Sequence, residues 1–123
     1  MNQPLIYLAS PYSHKLKKVR EQRFREIAKV SARLTVLGHF IFSPISMNHT
    51  WTIYCDPDTP LGTSWDYWKR YDERLLDVCD ELWVCTMEGW KESKGVAAEI
   101  KYADACGMRI YYIDPITLRI KTK

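Results

Sequence analysis

Ser93, Gly95 and Glu99 fall in one short stretch, Ser93-Lys94-Gly95-Val96-Ala97-Ala98-Glu99, and their types and spacing suit chemistry on an anionic substrate. Ser93 is placed to cap a helix N-terminus. There its hydroxyl accepts from a first-turn backbone N–H, while the remaining free N–H groups and the helix dipole favour an anion. Gly95 costs about 1 kcal/mol of helix propensity relative to alanine, so its missing side chain points to close approach of another group to the backbone. Glu99 follows one helical turn further on. With Val96 at i−3 and Ala103 at i+4 it lies at the edge of the stripe that faces a sheet, where a carboxylate is partly desolvated and held in place. Taken alone, the same stretch also fits a capped helix whose Glu99 points to solvent.

A second carboxyl has a comparable setting. The spacing predicts a helix from about Thr63 to Val78, with Trp65, Trp68, Leu75 and Cys79 along its apolar stripe. Asp72 occupies the place in that stripe that is not apolar, whereas Asp66, Glu73 and Asp77 fall on other faces. Desolvation in an aromatic-rich stripe raises a carboxyl pKa, which suits general-acid work. A structural Asp72 that accepts hydrogen bonds from loop backbone fits equally well.

The elements that must position these groups read as follows. Leu5 to Ala9 is a continuous apolar run ended by Ser10-Pro11, the pattern of a central strand covered on both faces. From Leu16 to Leu37 apolar residues recur at helical spacing, at Leu16, Val19, Ile27, Val30, Leu34 and Leu37, with Gly38 as the stop. The other faces of that helix are rich in lysine and arginine and read as solvated. His39 to Phe42 is a second strand closed by Ser43-Pro44. Ile45 to Gly62 shows no clear period and reads as an aromatic-rich lid or binding wall. Leu82 to Thr86 forms a third strand, and Met87 to Glu92 a loop into the helix that Ser93 opens and Gly107 ends. Met108 to Ile113 is a fourth strand, and Thr117 to Lys123 an edge strand or tail.

Strands alternating with helices predict one α/β domain over residues 1–123, Rossmann or flavodoxin-like, with a parallel sheet of about four or five strands and helices on both faces. In such sheets ligands bind beyond the carboxyl ends of the strands, where strand order reverses. The loops holding Ser10 and Tyr12 to His14, Ser43 to His49, and Met87 to Ser93 meet at that edge. Tyr7, Asp72, Glu99 and Ser93 converge there.

The totals narrow the function. A chain of 123 residues with net charge +3 is one globular domain, compatible with a phosphorylated ligand but not basic enough to argue for nucleic acid. No apolar run reaches the roughly 18 residues of a membrane span, and no signal-peptide layout opens the chain, so a cytoplasmic location is expected. Cys55, Cys79, Cys85 and Cys106 show no C-x-x-C spacing, and three of them fall inside expected helices or strands, as reduced thiols do. His14, His39 and His49 form no metal-ligand spacing, and neither a metal nor a cofactor is expected. The P-loop, the dinucleotide fingerprint and the nucleophile elbow are all absent, which disfavours a kinase, a dehydrogenase and an esterase.

Ile6-Tyr7-Leu8-Ala9-Ser10-Pro11-Tyr12, Gly38-His39, Asp72 with Asp80 eight residues on, and Ser93-x-Gly95-x-x-x-Glu99 occur in an order that resembles the nucleoside 2-deoxyribosyltransferase superfamily. That superfamily includes hydrolases of nucleoside 5′-monophosphates. The overall likeness is greatest to a small bacterial and phage domain-of-unknown-function family, which shares the surroundings of Ser43-Pro44 and Glu92-Ser93. The resemblance implies Glu99 as the nucleophile that attacks the anomeric carbon, Tyr7 as its positioner, and Asp72 as the group that serves the base and its protonation. Ser93 matches a position that is serine in the monophosphate hydrolases.

The physical reading agrees, because a carboxylate stabilises or captures oxocarbenium character while the helix N-terminus at Ser93 and Gly95 holds a 5′-phosphate. Ser10 and Tyr12 are further substrate-binding candidates. His14 and Lys15 are candidates for the phosphate; His49, Trp51, Trp65 and Trp68 for the base, with Trp65 and Trp68 weighing more toward core. A homodimer and a small-molecule nucleotide or nucleoside as ligand are implied by analogy. The alternative is a non-catalytic nucleotide-binding sensor or decoy, and base, sugar, and hydrolysis against transfer stay open.

Overall fold

A computed structural model describes residues 3–62 and 64–122. In chain order the elements are β1 (Leu5–Ala9), α1 (Lys17–Val36), β2 (Phe40–Phe42), α2 (Pro44–Tyr54), α3 (Trp65–Leu76), β3 (Glu81–Cys85), α4 (Lys94–Ala105), β4 (Arg109–Ile113) and β5 (Ile120–Lys121). They build one sheet in the order β2-β1-β3-β4-β5. The first four strands run parallel, and β5 closes the edge antiparallel to β4. This is the flavodoxin-like order, with its switch point between β1 and β3.

β1 is apolar throughout because both of its faces are covered. Its side chains alternate, so Ile6 and Leu8 join Ile27, Val30 and Leu34 of α1 in one core. Tyr7 and Ala9 point the other way, into a second core with Leu76 at the end of α3 and with Val96 and Ala103 of α4. The register sets Tyr7 between Phe42 of β2 and Leu82 of β3. A tyrosine is thereby fixed at the centre of the sheet, facing α3 and α4.

The expected helices and strands are present with shifted ends. α1 buries Ile27, Val30 and Leu34, but Leu16 and Leu37, expected in the same stripe, flank the helix and are 44% and 65% exposed. The helix expected from Thr63 runs from Trp65, and Thr63 lies outside the described residues. Its deepest apolar residue is Leu76 rather than Leu75. Of the tail, Ile120–Lys121 pairs with β4, while Lys123 lies outside the described residues. Only Cys85 among the four free cysteines falls inside a helix or strand, since Cys55 and Cys106 are C-caps and Cys79 lies in a turn. Among the described residues no helix is long and apolar enough to cross a membrane.

The irregular lid expected from Ile45 is corrected: its first part is the helix α2. Pro44 supplies a preorganised first turn behind Ser43. The buried residues of the helix are Pro44, Asn48 and His49, at helical spacing but polar at two of the three places. Hydropathy therefore carries no period although the backbone is helical.

Truncation of the central strand tests this packing. Leu8→Ala is expected to destabilise the protein by about 2–5 kcal/mol, read as a lower urea midpoint with an unchanged slope. A loss under about 1 kcal/mol would contradict a fully buried Leu8.

Candidate active site

A cleft opens at the switch point, where the loop after β1 parts from the loop after β3. The first loop contributes Ser10, Tyr12 and Ser13; α2 contributes Ile45, Asn48 and Thr52. Gly62, Ser64, Trp65, Trp68 and Asp72 come from α3 and its approach, and Ser93, Gly95 and Glu99 from α4 and its cap. The space is narrow, about 500 Å³ counted out to its mouth.

One side of the cleft is electropositive without a cationic side chain in its lining. Ser93 caps α4 as expected, its hydroxyl accepting from the Val96 N–H at 3.1 Å. Ser64 caps α3 likewise, accepting from the Tyr67 N–H at 3.3 Å. Two helix N-termini, each with free N–H groups, border the same space. The Lys94–Asp66 ion pair joins the two first turns at 2.9 Å, fully in solvent, and contributes little.

The other side holds the carboxyls. Glu99 is buried, and the Tyr7 hydroxyl donates to its Oε2. Burial pushes the Glu99 carboxyl up to about 8, with nearby Asp72 adding to the rise and the Tyr7 hydrogen bond opposing it. Burial alone pushes Asp72 up to about 7. Tyr7 in turn is held well above the ordinary phenol range, first by burial and then by Glu99, so it remains a donor at neutral pH.

The sequence-predicted residues divide into three groups. Ser10, Tyr12, Asp72, Ser93, Gly95 and Glu99 line the cleft, and Tyr7 holds Glu99 from behind. His49 is one layer back: its Nδ1 shares a 2.8 Å hydrogen bond with the Tyr12 hydroxyl, and its ring stacks on Phe24 at 4.2 Å. Burial lowers its pKa, which keeps it neutral and suits support of Tyr12 rather than contact with an anion.

His14 is corrected from a ligand contact to a local brace. Its Nδ1 accepts from the Leu16 N–H at 3.0 Å, at the entry to α1 and outside the cleft lining. Trp51 also lies outside the lining, edge-on to Tyr71. Trp65, weighed toward core, is buried and also lines the cleft; Trp68, weighed the same way, is a partly exposed cleft wall whose indole N–H donates to the Gly62 carbonyl at 2.7 Å.

Within the protein, a Cβ at Gly95 would meet Trp65 at 3.6–3.7 Å, an ordinary contact, so no protein group enforces the glycine. Gly89 is fixed by its backbone instead: its φ is +92°, a conformation that L side chains rarely adopt, while a Cβ would meet only the flexible end of Arg23. Arg23 donates to the Ser13 carbonyl at 2.9 Å, which ties α1 to the loop after β1. Arg23, Gly89, Ser64 and Asn48 were not singled out from the sequence. Ser64 carried a usable signal, a capping residue directly before a periodic apolar run. Arg23 is one of many basic residues on its helix and carried none.

Among the described residues no cluster of three or more His, Cys, Asp or Glu side chains makes a metal-ligand set. The family model described as "Domain of unknown function (DUF1937)" matches residues 4–114, a span that contains the whole cleft. No curated protein matches the chain.

The buried carboxyls set a pH dependence of stability. Unfolded Glu99 and Asp72 release their protons near 4.5 and 3.8, whereas the folded protein keeps them to about 8 and about 7. Between those limits the folded state binds more protons, so stability falls as pH rises, by up to about 1.4 kcal/mol per pH unit for each group. Glu99→Gln still accepts from Tyr7 but cannot ionise. Its melting temperature is expected to equal that of the parent at about pH 4 and to exceed it at about pH 8. A lower melting temperature for the variant at the higher pH would contradict the desolvated carboxyl.

Proposed function

The chain belongs to the DUF1937 family, and from the chemistry of its cleft we propose that it cleaves the N-glycosidic bond of a nucleoside 5′-monophosphate or deoxynucleotide, with Glu99 as nucleophile. In this reading it is a relative of the nucleoside 2-deoxyribosyltransferase superfamily. The observation that carries the proposal is Glu99 itself, desolvated, held by Tyr7 and near a second raised carboxyl in a cleft bordered by two helix N-termini.

The steps follow from what each group can do. The phosphate lies against the N–H groups and capping hydroxyls of α3 and α4, where the dipoles favour its charge. That contact places the sugar against Glu99 and Asp72. As the bond between the anomeric carbon and the base nitrogen breaks, the leaving base takes a proton from Asp72, and Glu99 captures the oxocarbenium-like carbon as an ester. Water then attacks the same carbon, its proton passing to Asp72, and frees both Glu99 and the sugar phosphate. A second base in place of water gives transfer. Tyr7 stabilises the Glu99 carboxylate by its hydrogen bond and fixes which oxygen faces the sugar.

The cycle needs one proton on the carboxyl pair, held by Asp72 while Glu99 is ionised. With Asp72 near 7 and Glu99 near 8 that form is the minor arrangement of the singly protonated pair, and activity follows the pair as a bell centred between about 7 and about 8. The test is chromatographic release of free base from a panel of ribo- and deoxyribonucleosides and their 5′-monophosphates. Release is expected from monophosphates and is lost in Glu99→Gln. Ser93→Ala is expected to reduce the preference for monophosphate over nucleoside by roughly tenfold, the worth of one hydrogen bond to a charged group. Equal release by the parent and Glu99→Gln, or no release from any member of the panel, would overturn the proposal.

A further inference from the structure

Among the described residues, five polar or charged side chains are buried: Ser10, Asn48, His49, Asp72 and Glu99. His49 and Glu99 have partners within the protein, Tyr12 and Tyr7. Among the described residues, the buried side-chain atoms without a partner are Ser10 Oγ, Asn48 Oδ1 and Asp72 Oδ1, and all three residues line the cleft. Native proteins pair the great majority of such atoms, and each one left unpaired costs about 1–3 kcal/mol. Asp72 already has a role as the proton donor, and the Ser10 hydroxyl can rotate toward whatever is near. Asn48 is different: it is 4% exposed, it sits inside a helix where a leucine of similar size would carry no such cost, and the catalytic steps do not use it. An amide carbonyl only accepts, so what completes it must donate.

We infer that Asn48 is a specificity-determining residue of the cleft, its carbonyl receiving a hydrogen bond from an N–H or O–H donor on the nucleotide. The inference rests on the function proposed above and adds the substrate class: the ligand carries a donor at this place, as a base amino or imino group or as a sugar hydroxyl. Asn48 comes from α2 and Ser10 from the loop after β1, and both line the cleft, so the donor is received on the wall that these two elements supply. A site built around such an acceptor rejects an analogue lacking the donor, because the carbonyl is then left buried and unpaired.

Two measurements test this. The first is binding, by calorimetry on Glu99→Gln so that nothing turns over, with and without Asn48→Ala. The probes are nucleoside 5′-monophosphates in matched pairs that differ by loss of the base amino group, methylation of the base imino nitrogen, or loss of the 2′- or 3′-hydroxyl. One of these changes is expected to weaken binding roughly tenfold or more when Asn48 is present and to have almost no effect in Asn48→Ala. The arm that responds identifies the donor as base or sugar. The second is the melting temperature of the free protein, which Asn48→Leu is expected to raise by removing an unpaired polar atom. Identical discrimination with and without Asn48 overturns this inference alone, and so does a lower melting temperature for Asn48→Leu. Failure of every nucleotide to bind overturns both this inference and the function on which it rests.

Discussion

Burial of the Glu99 carboxyl against the Tyr7 hydroxyl constrains more of this structure than any other contact. A carboxylate in a site closed to water is unfavourable unless it is neutralised or hydrogen-bonded, and here both occur: burial raises its pKa, and one hydroxyl compensates in part. The hydroxyl can serve because Tyr7 belongs to the central strand. Its backbone is held by parallel partners on both sides, and its ring is enclosed by Phe42 and the residues of α3 and α4. A one-residue slip of β1 would turn Tyr7 to the α1 side and put Leu8 against Glu99. Strand register, helix placement and the state of the carboxyl are thus one arrangement.

The cleft is polarised along its length by means that use no exposed charge. Helix N-termini capped by Ser64 and Ser93 favour an anion at one side, and desolvated carboxyls withstand a developing cation at the other. A sugar phosphate bearing a base has that polarity, with its negative group separated from the anomeric carbon by the length of the sugar. Arg23 of α1 donates to the Ser13 carbonyl and so holds the loop after β1, one wall of the cleft, against α1.

What could be read from the sequence followed from local physics. β1 announced itself by an unbroken apolar run, α4 by a capping serine and a glycine stop, and Asp72 by standing in an apolar stripe; each keeps that place in the structure. The parallel order followed from alternation of elements. α2 was illegible because the face it buries is largely polar, and the same feature hid Asn48. The reason for Gly89 was hidden as well, since it lies in a positive φ that its sequence neighbours do not mark. His14 misled because a histidine after a central strand suits a phosphate, whereas its nitrogen is taken up by the start of α1. Residues whose environment is made by their own element were readable, and those whose environment comes from a distant element were not.

The carboxyls can be observed directly, without a substrate. Carbon-13 NMR of the side-chain carboxyls, assigned by Glu99→Gln and Asp72→Asn, should show two coupled titrations, one near 7 and one near 8. Asp72→Asn should lower the Glu99 midpoint, since an ionised Asp72 raises it, whereas Glu99→Gln should leave Asp72, raised by burial, near 7. Midpoints for both in the ordinary range of about 4 to 5 would mean solvated carboxylates, and the account of a desolvated nucleophile paired with a proton donor would fail.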